Sequence, residues 1–308
     1  MTPYAREANN GNWRTSERWA RMLRDRYRII VQTRWDGSRA DAMIALHARR
    51  SAASIVAFRA LGRPLAVVLT GTDLYKDLPA SAEAIASVGM ADRLVVLQED
   101  ALNFLKPKWR EKCKVIYQSA QAVRHRGHAG SFLECVAVGH LRAEKDPLTL
   151  LRAVAEIPRD VPIRIRHIGA PLDPALEAAA RETARMDARY RYVGALPHGL
   201  ARAAMARADL LVHPSIMEGG ANVVIEAIAS GTPVIASHVS GNIGLLGAAY
   251  PGYFESGDAK ALAEALQRAQ AEAPYRRALA RECAKRKPLF RPAAEQRSLR
   301  NLLARMLA

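Results

Sequence analysis

Two carboxylates, Glu218 and Glu226, stand eight positions apart on either side of the small-residue run Gly219, Gly220, Ala221 and Asn222, within HPSIMEGGANVVIEAIASGTPVIAS at 213–237. The segment leaves an apolar strand, passes through glycines and enters an apolar-periodic helix. At such a helix start the first backbone N–H groups lack intrahelical partners and form the positive end of the helix dipole, which suits a diphosphate. Small side chains let phosphates come close. Glu226 then stands about 6 Å up the helix from Asn222, at ~1.5 Å rise per residue. A carboxylate only accepts hydrogen bonds, so it suits neutral sugar hydroxyls. The pattern describes a nucleoside diphosphate sugar, with hexose at Glu218, pyrophosphate at the helix tip and ribose at Glu226. A bare Gly-Gly between two acids reads more readily as a tight turn, with Glu218 solvated and Glu226 on a helix surface. What favours the site is its place in a βα loop, with Gly231-Thr232-Pro233 leading into the next strand.

A second set of polar residues lies in the first half of the chain, at or just beyond strand ends, where α/β sheets place ligands. Asn10, Gly11 and Asn12 form a polar loop, NNGNWRTSE, in which Gly11 allows close approach. His47, Arg49 and Arg50 in ALHARRSA make a cationic corner. Thr70, Gly71, Thr72 and Asp73 in LTGTDLY add hydroxyls, an amide and one acid. A lone histidine at a strand end is also a common structural residue, so the arginines beside His47 carry the functional reading. His125 and His128 lack a third ligand nearby, and no metal is expected.

The elements that must hold these residues alternate short β-branched runs with alanine-rich helical stretches, the pattern of βα units in parallel sheets. Strands are expected at 27–32, 41–46, 65–69, 93–97 and 114–117, then at 132–138, 163–168, 190–193, 209–213 and 233–236. Asp146-Pro147 marks a helix start. RHRGHAG at 124–130 breaks the rhythm and reads as a linker. The fold class is α/β, with two Rossmann-like domains facing each other across a cleft. The first spans 1–126 and the second 127–287. An amphipathic C-terminal helix, 288–308, crosses back onto the first domain. A doubly wound domain opens with a strand, yet the polar loop begins after a few residues. Either the stub around Thr2 to Tyr4 is that strand, or residues preceding Met1 belong to a longer native chain.

Composition narrows the class. The 308 residues, half of them hydrophobic, suffice for two cores of roughly 150 residues. No apolar run approaches the ~18 residues of a membrane span, the N-terminus lacks the apolar stretch of a signal peptide, and three scattered cysteines fit a reducing compartment. A cytoplasmic protein with no membrane partner is expected. The net charge of +16 attracts phosphates. Of 46 basic residues 37 are arginines, scattered at helical spacing among alanines, with aromatics at 6%. That distribution argues against nucleic acid. The absence of G-x-G-x-x-G after either first strand argues against a nicotinamide oxidoreductase. A UDP-sugar epimerase or hydrolase, and a basic protein without catalysis, are the remaining rivals.

EGGANVVIEAIASGTPVIAS resembles the E-x7-E signature of the retaining GT-B glycosyltransferases. The resemblance implies hexose binding by Glu218, contacts to hexose and diphosphate from Gly219, Gly220, Ala221 and Asn222, and ribose binding by Glu226. It also implies a cationic pair after the first strand of this domain. In VGHLRAEKDP Lys145 matches, the arginine position holds His140, and Arg142 stands two residues on. Arg142 reads equally as a partner of Glu144 or Asp146. Uracil is expected at the backbone of 191–194, beside Tyr192. NGNWRTSERWARML, ALHARRSAASI, LTGTDLY, QSA with Ser119, and MEGGANVVIEAI together resemble the selenosugar synthases of selenoneine biosynthesis, which couple a UDP-sugar with selenophosphate. The resemblance implies UDP-N-acetylglucosamine or UDP-glucose as donor, no metal or other cofactor, and links to a selenophosphate synthetase and a selenoneine synthase. Reaction roles fall on Lys145, Arg142, His47 and Thr70. Acceptor contacts fall on Asn10, Gly11, Asn12, Arg49, Gly71, Asp73 and Ser119. Thr70 stands where the broader family often has histidine, and threonine carries no proton at neutral pH. An acceptor that is already ionised needs no base there.

Overall fold

The computed structural model describes residues 1–3, 11–128 and 130–308. Their contacts divide the chain into two units, Met1–Ser119 with Leu289–Ala308, and Ala120–Pro288. The first contains α1 (Gly11–Leu23), β1 (Met43–Leu46), α2 (Ala52–Arg59), β2 (Leu65–Leu69), α3 (Ala82–Met90), β3 (Arg93–Val96), α4 (Pro107–Arg110) and β4 (Cys113–Val115). Among the described residues these strands form one parallel sheet in the order β1-β2-β3-β4. Period-two alternation divides its side chains between two faces. Ala45, Val67, Leu69, Leu94 and Val96 pack with Ile55, Phe58, Ala84 and Val88 of α2 and α3. Leu46, Ala66, Val68 and Val95 pack with Trp19 and Leu23 of α1. Both faces are covered, which is why the strands are nearly continuous apolar runs.

The second unit runs β5 (Leu133–Val138), α5 (Pro147–Glu156), β6 (Ile163–Ile168), α6 (Pro174–Met186), β7 (Tyr190–Gly194), α7 (His198–Arg207), β8 (Leu210–His213), α8 (Asn222–Ser230), β9 (Val234–Ser237), α9 (Ser240–Leu246), β10 (Tyr253–Phe254), α10 (Ala259–Ala271) and α11 (Ala273–Arg286). Its parallel sheet has the order β10-β9-β8-β5-β6-β7. The chain leaves β5 towards β6 on one side, and later returns to place β8 on the other. The β5/β8 junction is therefore the topological switch point, where such sheets open a crevice at their C-terminal ends. As the sequence reading expects, Asp146 starts α5: its carboxylate accepts from the Thr149 amide at 3.3 Å and the Thr149 hydroxyl at 2.5 Å.

The final helix, α12 (Pro292–Leu307), belongs to the first unit. Leu299, Leu302, Leu303 and Met306 recur on one face and join the Trp19–Leu23 cluster. Glu295, 1% exposed, fixes the contact. Its carboxylate accepts from Arg18 Nε at 3.0 Å, Trp19 Nε1 at 2.6 Å, and both the amide and hydroxyl of Ser119 at 2.8 and 2.5 Å. A buried carboxylate is tolerable only when so fully paired.

Several expectations from sequence change here. NNGNWRTSE is not a loop from Gly11 onward, because Thr15 and Ser16 turn their hydroxyls onto the carbonyls of Gly11 and Asn12 inside α1. Residues 27–32 form no strand despite their β-branched composition. Residues 28–32 instead line a groove of about 660 Å³ with Trp19, Leu23 and Ile44. The described part of the Thr2 to Tyr4 stub forms no strand, though Met1 donates to Ile44 O and accepts from the Leu46 amide and the Thr2 amide donates to Gln32 O; Tyr4 lies outside the described residues. The unit boundary falls at Ser119, ahead of the expected 126, because residues 125–128 bond to Ala206, Ala208 and Asp209 of the second unit. β10, two residues long, gave no pattern to read. Among the described residues no helix is long and apolar enough to cross a membrane.

Two outcomes test this packing. Glu295→Ala strands three buried donors and is expected to cost about 3 kcal/mol or more in urea unfolding followed by tryptophan fluorescence. His167, buried between Tyr190 and the Gly139 backbone, has its pKa pushed down to about 4 by burial. The unfolded chain therefore takes up this proton first as pH falls, and the His167 contribution, whole above about 6.5, is lost towards pH 4. Stability measured at pH 7 and 4.5 is expected to fall more in the native protein than in His167→Gln, by about 2 to 3 kcal/mol.

Candidate active site

The switch point brings together the residues that the sequence separates by 73 positions. Lys145, in the turn between β5 and α5, pairs its ammonium directly with Glu218 Oε1, in the loop between β8 and α8. His213, the last residue of β8, brings Nε2 to 3.2 Å from the same oxygen, out of line for a full hydrogen bond. Burial alone raises a carboxyl pKa, but here the Lys145 charge and the His213 ring outweigh it and hold Glu218 well below the usual range. Burial lowers the His213 pKa against the opposing pull of Glu218. The result is an ionised, mostly buried acid beside an ammonium at the mouth of the crevice.

Beyond Glu218 the chain passes through buried Gly219 and half-buried Gly220 to Ala221, which caps α8. Ala221 has no side-chain acceptor, so the first-turn amides of α8 are left without a side-chain cap. Asn222 opens the helix and Glu226 follows one turn later. Glu226 Oε1 lies 2.6 Å from Nε2 of His198, the first residue of α7. Two close approaches fix this geometry. A Cβ at Gly241, in α9, would meet Glu218 O at 2.0 Å, and one at Gly169, after β6, would meet Gly139 O at 1.8 Å.

The remaining expected donor residues occupy defined places. His140 follows β5, and its Nδ1 accepts the Ala170 amide at 3.0 Å, tying the ends of β5 and β6 together. Arg142 is exposed, with Nε 3.9 Å from Glu144. Tyr192, on the edge strand β7, donates its hydroxyl to Gly169 O at 2.9 Å, and Arg181 lies over its ring. His125 and His128 bond to Ala208 O and Phe132 O.

In the first unit the expected residues gather at the adjacent C-terminal ends of β1 and β2. His47 sits in the left-handed region at φ +70°. Its Nε2 lies 3.1 Å from the Thr72 hydroxyl and 3.8 Å from Asp77, and its Nδ1 accepts the Arg50 amide at 3.4 Å. Exposed Arg49 pairs with Asp77 at 2.8 Å. Asp73 is fully buried and spent on the backbone: Oδ1 accepts from Thr70 and Gly71, Oδ2 from Ala48. The Thr70 hydroxyl also leans on Asp73, at 3.4 Å. Asp73 thus organises the loop, and Ser119 bonds Glu295. Gly11 and Asn12 lie in the first turn of α1, and Asn10 lies outside the described residues.

Three partners escape the sequence reading: His213, His198 and Asp77. His213 stands at the head of the glycine segment, but nothing local marks it as facing Glu218. His198 and Asp77 are 28 and 30 positions from Glu226 and His47. Only the fold pairs them.

Known proteins share this architecture. Sucrose-phosphate synthase from Thermosynechococcus elongatus superimposes with a TM-score of 0.71 at 22% identity, over 86% of this chain and 73% of that one. HepE of Anabaena, solved with UDP and glucose, gives 0.69 at 18% identity over 86% and 78%. The shared fold is the GT-B arrangement of two parallel-sheet, Rossmann-like domains. A stretch of 114 residues is 35% identical to D-inositol 3-phosphate glycosyltransferase of Corynebacterium efficiens, covering 34% of this chain and 26% of that protein. Residues 125–286, which contain the whole Lys145–Glu218–Glu226 constellation, match the family described as glycosyl transferases group 1. The chain belongs to that family.

Proposed function

We propose that the protein is a glycosyltransferase that takes a UDP-sugar, UDP-N-acetylglucosamine or UDP-glucose, and transfers the sugar to selenophosphate. The observation that carries the donor half is the buried Lys145–Glu218 pair beside the uncapped start of α8. Glu218 accepts hexose hydroxyls, the α8 amides receive the diphosphate, and Glu226 accepts the ribose diol. Lys145 and exposed Arg142 supply positive charge as the bond from sugar C1 to the diphosphate oxygen breaks and UDP leaves with its electrons. The selenium of selenophosphate forms the new bond to C1, through a lone pair it already carries.

The acceptor half rests on the motif resemblance and on the β1–β2 corner. Thr70 offers no base, while His47, Thr72 and Arg49 offer donors and charge to a small anion. Selenophosphate, ionised at neutral pH, asks for placement rather than proton removal. The reaction as proposed draws its charge compensation from side chains and uses no metal, so turnover is expected to be insensitive to EDTA.

The donor assignment is tested by variants. Glu226→Ala is expected to weaken UDP binding about ten-fold or more by calorimetry. Glu218→Ala is expected to lower kcat/KM for the UDP-sugar and to leave UDP affinity within about three-fold. Lys145→Ala is expected to slow turnover on the order of a hundred-fold. Unchanged UDP affinity in Glu226→Ala sinks the donor assignment. Mass spectrometry of products from each UDP-sugar with fresh selenophosphate, against phosphate and thiophosphate controls, decides the acceptor. UDP release without any selenophosphate dependence points instead to a hydrolase, an epimerase reading being favoured by conversion of the sugar alone.

A further inference from the structure

We propose that His198 is the positioning residue that sets Glu226 for the ribose diol, an inference that rests on the assignment of Glu226 made above. His198 opens α7 and Glu226 lies on the neighbouring α8; Nε2 and Oε1 are 2.6 Å apart. α7 itself gives no reason for a histidine there. The start of a helix favours acids over bases, and α7 has no side-chain cap and no acid in its first turn. The partner that explains His198 is on another helix.

The two members of the pair are unequally exposed. The Glu226 side chain is 16% exposed, against 43% for His198, so the acid is the sheltered member and the histidine its outer brace. A glutamate has three rotatable bonds, and a vicinal diol held by one carboxylate needs that carboxylate in one orientation. With Oε1 occupied by the imidazole, Oε2 is the oxygen presented to the ligand. The rotamers are then fixed before the nucleotide arrives, which removes an ordering cost from binding.

The test is calorimetric titration of UDP and of 2′-deoxy-UDP into the full chain, its His198→Ala variant and its His198→Gln variant. The native protein is expected to prefer UDP. His198→Ala is expected to weaken UDP about ten-fold and the deoxy analogue by less than about two-fold, narrowing the preference. His198→Gln, which keeps an N–H donor at the same reach, is expected to restore most of it. Equal weakening of both nucleotides in His198→Ala, or an unchanged preference, overturns the positioning role while leaving Glu226 on the ribose. A native protein that binds UDP yet ignores the 2′-hydroxyl removes the Glu226 assignment itself, and the proposal with it.

Discussion

A carboxylate taken out of water must find a cation or a set of donors, and this requirement shapes the second unit around Glu218. Lys145 answers it from the far side of the β5/β8 junction. The pair therefore ties two loops that follow different strands, and it does so where the strand order reverses. On either side of it Gly169, after β6, meets the backbone that follows β5, and Gly241, in α9, meets the loop that follows β8. In the proposed reaction the tie is also the working part. A diphosphate competes for Lys145 and a hexose competes for Glu218, so one ligand can satisfy both members at once.

The same constraint recurs in the first unit with different partners. Asp73 draws amides from the ends of β1 and β2 onto one carboxylate, and Glu295 draws Arg18 and Trp19 of α1 together with Ser119. Neither acid has solvent to fall back on. Each converts the cost of its own burial into a fixed geometry for its neighbours, Asp73 for the ends of β1 and β2 and Glu295 for Ser119 and the α1 side chains.

What the sequence disclosed follows from the range of each signal. Strand 65–69 was legible as a short apolar run bounded by breakers, and 163–168 as the alternation of isoleucine with arginine in IRIRHI. The Glu218–Glu226 segment was legible because strand, glycines and helix lie within one continuous stretch. Residues 27–32 misled, since β-branched composition records burial and stiffness but not whether a ladder partner exists. The α1 segment misled in the other direction: its polar residues bond inward along the helix, so polarity did not mean loop. His198, His213 and Asp77 were out of reach, because each meets its partner only through the topology.

The backbone at His47 carries one further implication. A residue with a Cβ at φ +70° bears a steric burden of about 1 kcal/mol that glycine would avoid. That burden is carried by a buried imidazole whose nitrogens meet the Thr72 hydroxyl and the Arg50 amide, contacts that glycine would forfeit. Backbone strain and ring contacts are therefore opposing contributions at this one position.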